Sequence, residues 1–182
     1  NINNENNVIN PFPHTFSLLN SSIWVKYSII KNDIFLFMAN LPGLVLSVVS
    51  IILLIPLLKN KKDSLVNQIC LILGINTQIL MYNILDIIKI NINILESIYG
   101  TFGIIIFLFM CSSPLFTIKY VIINKDASSL YLPITLTQNI NCSLWVIYSI
   151  FNSDIFILIP NVIGLCLGLF QLAIICYFRC KT

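Results

Sequence analysis

The chain has 182 residues, 58% of them hydrophobic and 9% charged, with a mean hydropathy of +0.93 and a formal charge of +3. Soluble domains carry about a quarter charged residues, so this composition excludes an ordinary water-soluble enzyme and requires lipid as the solvent. Unbroken apolar runs such as residues 34–58 also exclude a membrane β-barrel, whose strands alternate in polarity over about ten residues, and leave an all-α polytopic membrane protein.

In chain order, residues 1–12 (NINNENNVINPF) read as a polar, Asn-rich tail or cytoplasmic loop. They lack the basic start and apolar stretch of a signal peptide. Six stretches then approach the roughly 20 residues that a spanning helix needs: Pro13 to Ile30, Ile34 to Leu58, Leu65 to Ile88, Ile94 to Ile123, Leu130 to Phe151 and Ile155 to Phe178. Connections this short force neighbouring helices to run antiparallel. The basic charge is parcelled out among these connections, which points to topology rather than to nucleic acid. With the C-terminus cytoplasmic, Lys59, Lys61, Lys62, Lys119, Lys125, Arg179 and Lys181 fall on that side and Lys26, Lys31 and Lys89 on the other. The positive-inside rule favours that orientation. Cys111, Cys142, Cys166 and Cys176 lie within apolar runs, where they pack as small side chains rather than form a disulfide framework.

The chain repeats itself. NSSIWVKYSIIKNDIFLFMANLPGLVL from Asn20 matches NCSLWVIYSIFNSDIFILIPNVIGLCL from Asn141 without a gap, at a spacing of 121 residues, with about half of the positions identical. Trp24 pairs with Trp145, Tyr27 with Tyr148, Asp33 with Asp154, Asn40 with Asn161 and Gly43 with Gly164. Four helices separate the copies, so they share one orientation and form a parallel repeat. Span 4 has no counterpart ahead of the first copy. The implied architecture is two parallel three-helix bundles joined by a linker helix, with six of seven spans present. The expected division is a tail over 1–12, an incomplete first repeat over 13–58, a basic loop and linker helix over 59–92, and a second repeat with the C-terminus over 93–182.

These residues resemble the SWEET (MtN3/saliva) family of sugar transporters. The resemblance rests on SPL at Ser113 to Leu115, Pro133, NCSLWVIYS at Asn141 to Ser149, Asp154, PNVIG at Pro160 to Gly164 and Gln171. In the first copy it continues through Pro13, LLNSSIWVKYS at Leu18 to Ser28, Asn40 and Gly43. It implies sugar transport by an assembly of copies of the chain, and the family's first helix is the one without a counterpart here.

A neutral polyol needs amides for its hydroxyls and a flat apolar surface for its C–H face. Asn40 and Asn161 sit mid-run on equivalent helices and offer donors and acceptors. Interhelical hydrogen bonding is the competing use of such residues, and the resemblance assigns both to the sugar pocket. Trp24 and Trp145 lie some ten residues into their spans, deeper than an interfacial belt, and are expected to stack on sugar in a central cavity. Asn20 and Asn141, one turn earlier on the same face, are candidates to line it. Met110 fits a substrate contact or core packing equally well. The resemblance assigns Tyr27, Tyr148 and Asp154 to an outer gate, although interfacial anchoring and a solvated loop carboxylate explain them as well. It makes Pro13, Pro114 and Pro133 hinges near helix ends, with Pro13 and Pro133 out of step by one residue.

No HExxH, paired CxxC, P-loop or GxSxG occurs, so no catalytic residue, metal or cofactor is expected. The expected activity is facilitative uniport of a mono- or disaccharide across the plasma membrane or an endomembrane, since no span carries an acid, His or Arg near its middle. The alternatives are a non-transporting interaction protein on the same scaffold and a carrier of another small neutral solute.

Overall fold

The computed structural model describes residues 12–54, 56, 83–84, 89–125 and 130–179. Within them every regular element of length is an α-helix: α1 (Phe12–Lys31), α2 (Ile34–Leu54), α3 (Ile92–Met110), α4 (Ser112–Asn124), α5 (Leu132–Phe151) and α6 (Ile155–Arg179). The linker span expected over 65–88 lies outside the described residues apart from 83–84, and so does the tail before Phe12. Two compact units form, with their boundary inside α3 between Gly103 and Ile104.

Three helices are long and apolar enough to cross a membrane among the described residues: Ile34–Leu54, Ile92–Asn124 and Ile155–Phe178. The other two expected spans, α1 and α5, are each 20 residues long but interleave their apolar residues with Ser, Thr, Asn and Gln. They are equivalent helices of the repeat, and they carry most of the candidate site residues. Polarity is reversed relative to a soluble protein. In α2 the large apolar residues Phe35, Met38, Leu46, Val49 and Leu53 face outward, while Ser47 is buried. An outward apolar surface suits hydrocarbon, and small residues let helix backbones approach.

The expected fourth span, 94–123, is a helix interrupted at Cys111. Pro114 explains the break, because its ring lacks the N–H that would bond the carbonyl of Met110. Cys111 N–H still donates to Phe107 O at 3.0 Å and Leu115 N–H to Cys111 O at 3.3 Å, so the chain continues in the same sense.

In the first unit α1 packs along α2, and in the second α5 packs along α6, which also touches α4. One crossing is repeated. A Cβ on Gly43 would stand 3.1 Å from Ser21 Oγ, and one on Gly164 would stand 2.9 Å from Cys142 Sγ. Ser21 and Cys142 are themselves 121 residues apart, so each copy seats one small side chain on one glycine. The second unit is closed near the C-terminus by Ile118, Val121, Leu130, Ile174 and Ile175.

The turn that joins each helix pair is the same to within a tenth of an ångström. Asn32 and Ser153 adopt left-handed conformations, with φ of 59° and 51°. Asp33 N–H bonds Ser28 O at 2.9 Å and Asn32 N–H bonds Ile29 O at 3.2 Å. In the second copy, Asp154 N–H bonds Ser149 O at 2.9 Å and Ser153 N–H bonds Ile150 O at 3.2 Å. This pattern satisfies the last carbonyls of the first helix. The aspartate then opens the next helix: Asp33 Oδ1 accepts from Leu36 N–H at 3.0 Å, and Asp154 Oδ1 accepts from Phe156 N–H at 3.0 Å and Ile157 N–H at 3.2 Å. Both aspartates are helix N-caps, and Asp154 is 3% exposed. Replacing Asp154 with Ala should cost about 1 kcal/mol of stability, whereas Asn, an equally good cap, should leave it nearly unchanged. Thermal unfolding of the purified variants in detergent checks this, and equal destabilisation by both would refute the capping role.

Candidate functional site

Each unit carries an aromatic pair on its polar helix. On α1 the Trp24 and Tyr27 rings meet edge to face, with centroids 5.6 Å apart and planes at 86°. On α5 Trp145 and Tyr148 repeat this at 5.4 Å and 82°. The three-residue spacing places the rings on one helix face, and the edge-to-face geometry suits their quadrupoles. Below each pair, Ser28 and Ser149 donate to the carbonyls three residues back, Val25 O at 2.7 Å and Val146 O at 2.8 Å. Tyr27 is almost fully buried and its ring lies 5.8 Å from Lys31 Nζ. Tyr148 is half-buried.

The two indoles differ in setting. Trp24 is buried, its Nε1–H donates to Asn20 Oδ1 at 3.2 Å, and a Cβ on Gly103 would stand only 2.8 Å from its Cζ2. The expected Asn20 and Trp24 pair is therefore brought together, packed against a glycine of α3. Trp145 is half-buried and Asn141 exposed, and Asn141 lines a cavity of about 380 Å³ with Pro133, Ile134, Thr137 and Gln138.

Asn40 and Asn161 are half-buried on α2 and α6. Each spends its amide N–H on the carbonyl four residues back, Leu36 O at 2.9 Å and Ile157 O at 2.8 Å. The side-chain oxygen of each makes no hydrogen bond with a described residue, so each presents an acceptor at the equivalent place. A proline lies inside the helix close to each amide, Pro42 in α2 and Pro160 in α6. They fall three residues apart in repeat register and were not among the candidates, although a proline inside an apolar run is a visible signal.

Pro13 and Pro133 each occupy the second position of their helices, where a missing N–H costs no intrahelical bond. Their spacing of 120 is shared by the buried Thr15 and Thr135, so the one-residue shift falls between these threonines and Asn20. Pro114 lies in the first turn of α4. Met110, the last residue of α3, lines a second cavity, of about 410 Å³, in the second unit. No cluster of three or more potential metal ligands occurs among the described residues.

The family model described as a sugar efflux transporter for intercellular exchange matches residues 4–63 and 97–182. The chain belongs to this MtN3/saliva, or SWEET, family. It is 29% identical over 167 residues to the sugar transporter SWEET1 of Caenorhabditis elegans, covering 91% of this chain and 53% of that relative. To the bidirectional sugar transporter SWEET16 of Arabidopsis thaliana it is 26% identical over 170 residues, covering 92% and 74%. The chain thus spans about half the length of the nematode relative. A solved structure of a eukaryotic SWEET transporter superposes with a TM-score of 0.84 at 23% identity, covering 92% of this chain and 79% of that one. That likeness establishes the polytopic helical fold.

Gly103 sets where the Trp24 indole rests. In a Trp145→Phe background Trp24 is the single tryptophan, since the chain has two. Gly103→Leu should then displace the indole and shift its fluorescence emission to the red relative to the Gly103 parent. An unchanged spectrum would show that α3 does not seat the ring.

Proposed function

We propose that the protein carries a mono- or disaccharide across a membrane in either direction, as a uniporter, by alternating access of its two helix-bundle halves. The observation that carries this reading is the duplicated constellation: one indole, one phenol and one amide at equivalent positions of each half, with matching local geometry. A hexose has a C–H face that stacks on an aromatic ring and hydroxyls that bond amides, and each half offers one of each. Relatives named as bidirectional sugar transporters support the substrate class.

In this reading Trp24, Trp145, Asn40 and Asn161 contact sugar, with Asn20, Asn141 and Met110 beside them. Binding is the only chemistry required, because the cargo crosses unchanged. Tyr27, Tyr148 and Asp154 serve the outer gate. For Asp154 that role is combined with the helix cap, so the turn it organises moves as a unit with α6. Pro13, Pro114 and Pro133 lie where helices start or break and supply the hinges. The lack of an acid, His or Arg near the middle of any apolar span favours uniport over ion-coupled transport. We place the protein in the plasma membrane or an endomembrane, with its C-terminus cytoplasmic, as a homo-oligomer.

Sugar uptake into proteoliposomes tests the reading. Asn161→Ala and Trp145→Ala should each lower the initial rate of radiolabelled glucose or sucrose entry at least tenfold, while membrane insertion and the wild-type rate without a proton gradient are unaffected. A truncated hydrogen-bond partner or stacking surface weakens binding by about 1–3 kcal/mol, which sets that scale. Normal uptake by both variants would remove these residues from the site, and a rate that follows the proton gradient would exclude uniport.

A further inference from the structure

The cavity of about 410 Å³ in the second unit is bounded by the end of α3, by α4 and by facing parts of α5 and α6. Its size lies within the roughly 300–1,000 Å³ typical of small-molecule sites. Uncharged polar side chains among the described residues that line it include Thr117 on α4, Thr135 and Gln138 on α5, and Gln171 on α6. Phe107, Met110 and Leu167 supply apolar wall, and the rim residues Tyr131 and Ile134 are exposed.

Of the polar side chains, Thr135 Oγ1 donates to Tyr131 O at 3.3 Å, whereas the two glutamines are poorly served by the described residues. Gln171 is half-buried and makes no hydrogen bond with a described residue. Gln138 Nε2–H reaches only Cys142 Sγ, at 3.3 Å, a weak acceptor. Beside the wall at Gly168, Asn139 is buried and donates to Thr135 O at 2.7 Å, while its Oδ1 has no partner. Unpaired amides in hydrocarbon are costly, so this lining is unsuited to an acyl chain. No Asp, Glu, Lys, Arg or His is among the described residues that line the cavity, so these residues offer an anionic or cationic ligand no counter-charge.

The first copy is built differently at the equivalent place. Ser47 stands where Gly168 does, and its hydroxyl is within 3.0 Å of Ser17 Oγ while donating to Gly43 O at 2.7 Å. Ser50 stands where Gln171 does. The hydroxyl that meets Ser17 becomes a glycine, and the short Ser50 becomes a long amide that bonds no described residue. A merely structural polar contact between helices would not need that exchange.

From this we infer that the second unit holds its own subsite for a neutral polyhydroxylated ligand, a sugar, with Gln171, Gln138 and Thr135 as its hydrogen-bonding groups and Met110 and Leu167 against the C–H face. The inference rests on the sugar-transport reading, but its hydrogen-bonding groups, Gln171, Gln138 and Thr135, are not among the residues that carry that reading. A carrier with such a subsite binds sugar near the chain's C-terminal end as well as at the paired Trp and Asn positions.

Equilibrium binding of radiolabelled D-glucose to the full chain in detergent tests it, with uptake measured in parallel. The Asn161→Ala variant should retain a glucose-binding component. Gln171→Leu, close in volume, and Thr135→Val, nearly isosteric, should each weaken that component about fivefold to tenfold, the loss of one hydrogen bond to ligand. Two variants on different helices guard against a fold defect in either one. Abolition of all binding by Asn161→Ala alone, or unchanged binding in both Gln171→Leu and Thr135→Val, overturns the subsite and leaves the transport reading intact. A wild-type chain that neither binds nor transports sugar overturns both. A co-purified lipid that glucose fails to displace from the cavity overturns the subsite in favour of an acyl chain.

Discussion

Hydrocarbon solvates no hydrogen-bonding group, and that single constraint organises the chain. The helices answer it with their own carbonyls. Ser22, Ser28, Ser47, Asn40, Asn139, Ser149 and Asn161 all donate three or four residues back along their helices. The same economy governs the connections, where left-handed Asn32 and Ser153 close one helix and an aspartate opens the next. A helix pair tied at its turn in this way keeps its crossing fixed, so the small residues at Gly43 and Gly164 stay in register with Ser21 and Cys142. Among the described residues, the polar groups left over after this internal bonding include the oxygens of Asn40 and Asn161, the amide of Gln171 and the buried Oδ1 of Asn139.

Much of this was legible in the sequence because spans and repeats are written in composition and spacing. The matching turns KNDIF from Lys31 and NSDIF from Asn152 mark helix starts at Ile34 and Ile155 that the structure reproduces. Trp24 with Trp145 and Tyr27 with Tyr148 were visible as pairs because of the 121-residue repeat, and three-residue spacing sets each Trp and Tyr on one helix face. Gly164 and Gly168 have the GxxxG spacing of a close-packing helix face, and Cys142 and Asn139 rest on them.

Other features depended on contacts that no local pattern encodes. The interruption at Cys111 follows from Pro114 sitting three residues inside a helix start rather than at a span end. Asp154 carries the sequence signature of a cap, an acid directly before an apolar run, but the same residue in a short polar connection also reads as solvated. Its burial decides the matter. The burial of Trp24 depends on Gly103, more than seventy residues away in sequence. The cavity around Gln171 requires three helices to be assembled before Thr117, Thr135 and Gln138 share one wall.

Duplication gives each half the same turn, the same aromatic pair and the same amide, yet the copies have diverged in how tightly they are filled. The first copy buries its indole, bonds it to Asn20 and satisfies Ser17 with Ser47. The second leaves Trp145 half-buried, opens Asn141 to a cavity and has Gly168 and Gln171 where the first has Ser47 and Ser50. Filling and bonding favour a rigid element, whereas unbonded amides around a cavity favour exchange of partners with a ligand. The physical difference therefore runs along the repeat: the α1 and α2 pair is closely packed and internally bonded, and the α5 and α6 pair carries polar groups left open to a cavity.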